Sequence, residues 1–139
     1  MGNCPDQLQR NGGGAVLVVD DDASMRSLIQ RTLVAAGYVV WTAGGVPDAR
    51  LLLPTIGPRL DIAIVDAVMP GGVGPELAAD IHHECPRARL IYISSYEPAK
   101  LRAHGLDVDA AEFLHKPFAP AQLIDALTGS RPSGEGRRA

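Results

Sequence analysis

The chain has 139 residues, 46% of them hydrophobic, and a formal net charge of -3. That length supports one domain with a real core and leaves little for a second. The acidic balance gives no support to nucleic-acid binding, and no apolar run approaches the ~18 residues of a membrane helix.

Residues 1–14, MGNCPDQLQRNGGG, show no basic-then-apolar leader, and Asp6 stands where a myristoylation signal needs Ser or Thr. The segment reads as a flexible lead. Cys4 and Cys85 form no CxxC, so the expectation is a reducing, cytoplasmic setting without a disulfide framework. The run AVLVV (15–19) is the first strand, and it leads straight into Asp20, Asp21 and Asp22. Met25, Leu28, Ile29, Leu33 and Ala36 recur at helical spacing before Gly37 supplies a stop. YVVWT (38–42) is strand-like, and a weaker helix over 46–53 is expected to end at Pro54. IAIV (62–65) is the third strand, with Asp66 behind it. GGVG (71–74) reads as a turn, since GxxxxGK[ST] is absent. Pro75 suits a first helical turn, with Leu77, Ala78 and Ile81 as the inner stripe. LIYIS (90–94) is the fourth strand, followed by a polar helix near 98–104. EFLH (112–115) is a short fifth strand ahead of Lys116, and 118–127 forms the closing helix. Residues 129–139, GSRPSGEGRRA, are polar, glycine-rich and without periodicity, the composition of a disordered tail.

Strands alternating with helices, each strand a nearly continuous apolar run, predict a doubly wound α/β domain over 15–128. Its five-stranded parallel sheet is covered by helices on both faces. Ligands of such sheets bind beyond the carboxyl ends of the strands. Asp20, Asp21 and Asp22, then Asp66, then Ser94 and Ser95, then Lys116 all fall at those ends. With strand order 2-1-3-4-5, the first and third strands are neighbours and their acids meet. A cation is the natural partner for such a patch, and oxygen ligands without His/Cys spacing favour Mg²⁺ over zinc. Acids, a hydroxyl and a lysine together suit phosphoryl transfer, where positioning and charge neutralisation dominate. His82 and His83 point about 100° apart on a helix and lack a third ligand, so a surface pair is expected.

VLVVDDDASMRSLI, DIAIVDAVMPGGVGPEL, LIYISSY and EFLHKPF, in this order and spacing, resemble the signature segments of the two-component response-regulator receiver domain. The resemblance implies the flavodoxin-like order 2-1-3-4-5. It makes Asp66 the phosphoacceptor and Asp20, Asp21, Asp66 and the backbone carbonyl of Val68 the Mg²⁺ ligands, Asp20 through water. Ser94 would bond the phosphoryl oxygen, and Lys116 would bring positive charge from the other side. A cis Lys116–Pro117 bond is expected, with Gly74 turning the loop after Asp66. Asp22 falls at a variable position and is expected to cap a helix. Ser94 and Phe113 would form the switch, which repacks the face of helix 4, strand 5 and helix 5. The implied partners are a histidine kinase or histidine phosphotransfer protein and an unidentified target protein, with the chain a monomer or a weak dimer through that face. DVDAA (107–111) and Ser95 depart from the common pattern. The last segments look most like receivers of hybrid sensor kinases. No room for an output domain follows Leu127, so the signal is expected to leave by protein contact or by phosphate transfer.

An enzyme is the rival expectation. Asp20-x-Asp22 after the first strand, a later Ser and then a Lys also resemble the haloacid dehalogenase-type phosphatases. Asp20 would then be the nucleophile and Asp22 the general acid. The chain is short for that class, and Asp66 ahead of Met69 and Pro70 is left unexplained.

Overall fold

A computed structural model describes residues 14–69, 72–103 and 112–129. Strand β1 (Ala15–Val19) is buried along its whole length and lies between β2 (Val39–Ala43) and β3 (Ile62–Asp66). Beyond β3 come β4 (Arg89–Ser94) and then β5 (Glu112–His115), all pairs parallel, in the expected order 2-1-3-4-5. Successive side chains on a strand point to opposite faces. Leu17, Val19, Ala63, Val65 and Tyr92 therefore enter one core, and Val16, Val18, Ile62, Ile64, Ile91 and Ile93 the other. Two buried faces need continuous apolar runs, and this is why the strands show little alternation.

Helix α1 (Ala23–Ala35) seals the second core with Ile29 and Leu33. Gly37, at φ 100, makes the left-handed turn after it. Helix α2 (Val46–Ile56) and helix α3 (Gly74–Glu84) cover the first core. Gly57 lies where these elements touch: a Cβ there would stand 2.7 Å from the Glu84 carbonyl oxygen. Helix α4 (Pro98–Ala103) adds Leu101 to the first core, and helix α5 (Pro120–Thr128) adds Leu123 and Leu127 to the second.

Two boundaries correct the sequence reading. Helix α2 continues through Pro54 for another half turn. An interior proline costs roughly 3 kcal/mol. Leu53 and Ile56 are buried on either side of it, at about 1.5–3 kcal/mol each, and Pro54 itself is exposed. Burial offsets the lost hydrogen bond. Helix α5 begins at Pro120 rather than 118 because a residue before proline avoids the helical region. Ala119 is extended (φ -82, ψ 154), and its N–H donates to the Gln122 side chain at 2.7 Å. A short antiparallel hairpin, Val68–Met69 with Gly72–Val73, was not expected in the 71–74 turn region. Apart from Gly14 and Gly129, the expected lead (1–14) and tail (129–139) lie outside the described residues, as do 104–111 with their DVDAA segment. Among the described residues no helix is long and apolar enough to cross a membrane.

Candidate functional site

β1 delivers Asp20 to the carboxyl edge of the sheet, where its side chain is wholly buried. Its N–H extends the ladder to Ala43 O of β2 at 3.2 Å, and its Oδ1 accepts the Asp22 N–H at 2.9 Å. Oδ2 is different. Lys116 Nζ pairs with it at 3.0 Å, and among the described residues this buried oxygen has no other partner. Asp21 and Asp22 are exposed. The Asp22 carboxylate caps α1 by accepting the N–H groups of Ser24 (2.9 Å) and Met25 (3.3 Å), as expected of an N-cap.

β3 carries Asp66 to the same edge as its last residue, in register with Ile93 of β4. Asp66 is buried, and Lys116 Nζ donates to its Oδ2 at 3.3 Å. Lys116 follows β5, its N–H bonded to Ser94 O at 2.8 Å, and the Lys116–Pro117 bond is cis. Burial alone would lower the lysine's pKa. The Asp20 and Asp66 carboxylates outweigh it and hold the ammonium above its ordinary value.

One ammonium is thus shared by two buried carboxylates, with the exposed Asp21 close to both acids. Oxygens of Asp20, Asp21 and Asp66 all lie within 4.8 Å of one another. Like charges about 4 Å apart repel by about 4 kcal/mol at an effective dielectric near 20, and by less for Asp21, which faces water. The excess of carboxylate over ammonium and the all-oxygen donor set fit a hard divalent cation.

Ser94 ends β4, buried, with its Oγ accepting the Tyr96 N–H at 2.9 Å. Phe113 pairs in register with Tyr92 on the same face of the sheet as Ser94. The two rings stack at 5.5 Å between centroids, with Phe113 half-buried. Burial pushes the Tyr92 phenol up to about 12. Val68 opens the hairpin directly after Asp66 and Ala67, and Gly74 begins α3. His82 and His83 are exposed on α3, and Cys85 is a buried free thiol.

The sequence reading overlooked Arg26. From the first turns of α1 its NH1 donates to Asp20 O at 2.8 Å. A signal was available: a cation near a helix N-terminus opposes the helix dipole and needs another reason to be there.

The family model of the response regulator receiver domain matches residues 16–128. Sensor kinase CckA of Brucella abortus is 33% identical over 84% of this chain and 12% of the kinase. Chemotaxis protein CheY of Thermotoga maritima is 30% identical over 83% of this chain and 95% of its own length. The structure of chemotaxis protein CheY4 of Vibrio cholerae superposes with a TM-score of 0.71 at 29% identity, covering 82% of this chain and 95% of that one. The chain spans half or less of several relatives it matches, 45% of PetR of Rhodobacter capsulatus among them. The phosphatase alternative finds no support in these matches, and the Asp22 carboxylate it would use as an acid is engaged in capping α1.

Proposed function

The chain belongs to the response regulator receiver domain family of two-component signalling, and from that premise we propose that Asp66 accepts a phosphoryl group from a phosphohistidine. The observation that carries the reading is the meeting of Asp20, Asp21, Asp66 and Lys116 at one sheet edge, where a single lysine is shared by two buried carboxylates.

An Asp66 carboxylate oxygen attacks phosphorus, and a new O–P bond forms as the donor's P–N bond breaks. The electron pair leaves with the imidazole nitrogen, which then takes a proton. Lys116 holds the Asp66 carboxylate in place beforehand and lies ready to neutralise an oxygen of the arriving group. Asp20, Asp21, Asp66 and the Val68 carbonyl would hold Mg²⁺, which when bound offsets phosphoryl charge. The Ser94 hydroxyl accepts from Tyr96 and so keeps its proton for donation to a phosphoryl oxygen. Movement of Ser94 toward that oxygen frees space beside β4, and the Phe113 ring repacks into it. A changed surface of α4, β5 and α5 is then what a target protein or a second copy reads. The donor is a histidine kinase or a histidine phosphotransfer protein, met in the cytoplasm.

Acetyl phosphate with Mg²⁺ tests the reading. Intact-mass measurement should show one added phosphate on the chain and none on Asp66→Asn. Efficient labelling of Asp66→Asn would refute Asp66 as acceptor. For the switch, the Phe113 ring environment should shift on adding beryllofluoride, and Ser94→Ala should abolish that shift while still accepting phosphate.

A further inference from the structure

Every polar atom of Asp20 meets a partner in this chain. Its N–H is fixed by Ala43 O, its Oδ1 by Asp22 N–H, and its carbonyl oxygen by Arg26 NH1 at 2.8 Å. Its Oδ2 pairs with Lys116 Nζ at 3.0 Å. The arginine is half-buried and also lies against the loop after β2: a Cβ on Gly44 would stand 3.3 Å from Arg26 NH1. The guanidinium therefore occupies the space that a side chain at 44 would take. It links α1 to the turn that presents the acids.

We propose that Arg26 is a positioning residue for the acid cluster, one that sets the aim of Asp20 by holding its backbone carbonyl in the seat left open by Gly44. This rests on the metal and phosphoryl reading above and adds a residue to it. Arg26 touches neither the carboxylate oxygens nor a reacting group. It acts through the Asp20 main chain, in the manner of groups that orient metal ligands from behind.

The sign of the effect separates positioning from charge. A guanidinium near a cation site repels the cation, so if charge were its whole contribution, Arg26→Gln would tighten Mg²⁺ binding. A positioning role predicts the reverse. Mg²⁺ affinity, read from backbone amide shifts of residues 20–22, should fall about 10–100-fold in Arg26→Gln. Phosphorylation by acetyl phosphate should slow at saturating Mg²⁺ as well. Arg26→Lys keeps the charge on a shorter arm with a single point of donation and should recover only part of the loss. Gly44→Ala leaves Arg26 intact but crowds its seat. It should weaken Mg²⁺ by a smaller factor and add nothing in the Arg26→Gln background, because both changes disturb one contact. Thermal melts accompany each variant, and Gly44→Ala covers the case in which Arg26→Gln does not fold. Unchanged or tighter Mg²⁺ binding in folded Arg26→Gln, with the parent chain binding Mg²⁺ and taking phosphate, overturns the role of Arg26 alone. A parent chain that does neither overturns the acceptor reading and this inference with it.

Discussion

The two ends of the sheet handle buried charge in opposite ways. At the amino end, Arg89 of β4 forms an ion pair with Glu112 of β5 at 2.7 Å. It also donates to the carbonyls of Ala126 (2.9 Å), Leu127 (3.1 Å) and Gly129 (3.1 Å) as α5 runs out. One cation meets one carboxylate, and the remaining donors close the end of a helix that lacks a basic residue of its own in the last turn. At the carboxyl end, one lysine is shared between the Asp20 and Asp66 carboxylates, and the Asp21 carboxylate lies close to both. The chain is able to satisfy buried charge and does so at the amino end. The excess of carboxylate over ammonium at the other end is what the proposed cation site requires.

The largest expected effect breaks the satisfied end. Arg89→Met leaves Glu112 largely buried and uncompensated and strips three carbonyls of their donor, so we expect a loss of about 3–5 kcal/mol in urea unfolding. Mg²⁺ affinity of the folded fraction should be unchanged. A coupled loss of Mg²⁺ binding would mean that the two ends are not independent.

Alkaline pH sharpens the contrast from the carboxyl side. The unfolded Tyr92 phenol titrates near its ordinary value of 10.0 and the folded one at about 12. Between those values the native state keeps a proton that the unfolded chain has lost, so stability falls by about 2–3 kcal/mol as pH rises. Lys116 acts in the same sense. Its native pKa lies above 10.5, so its attraction for Asp20 and Asp66 is fully present below that pH and fades as pH climbs through the folded value. Chemical denaturation from pH 9 to 12 should show this decline, shallower in Tyr92→Phe. Equal slopes in the two proteins would remove the phenol from the account.

The smallest effect concerns the acid-rich end itself. Asp21→Asn removes one of the three mutually repelling carboxylates. Because Asp21 is exposed and screened, the gain without metal should be modest, roughly 0.2–1 kcal/mol. Excess Mg²⁺ should stabilise the parent and not this variant, reversing their order in a thermal melt. A variant less stable than the parent without metal would show that repulsion does not govern this end.

Much of this contrast could be read from the sequence on one side and little on the other. The strands announce themselves as apolar runs, and their polar successors line up at one edge once the order is known. Asp20, Asp66, Ser94 and Lys116 therefore gather from pattern alone. Arg89 does not: its partners are Glu112, 23 residues on, and backbone carbonyls that no side-chain pattern encodes. Arg26 is hidden for the same reason, since it too binds a carbonyl. Pro54 misled because proline is a local signal, while the burial of Leu53 and Ile56 that overrides it is tertiary. The hairpin after Asp66 is short, two residues to a strand, which is below what alternation can reveal.

The Arg89 clamp also decides which way the molecule faces when it is tethered. Gly129 is held at the amino end of the sheet, and Gly14, whose carbonyl accepts the Val39 N–H at 2.8 Å, lies just before β1 at that same end. The acids lie beyond the far end of β1, about 17 Å away along five residues. A linker, a dye or a solid support joined near residue 14 or residue 129 is thereby kept behind the molecule, with the acid pocket turned outward toward whatever approaches.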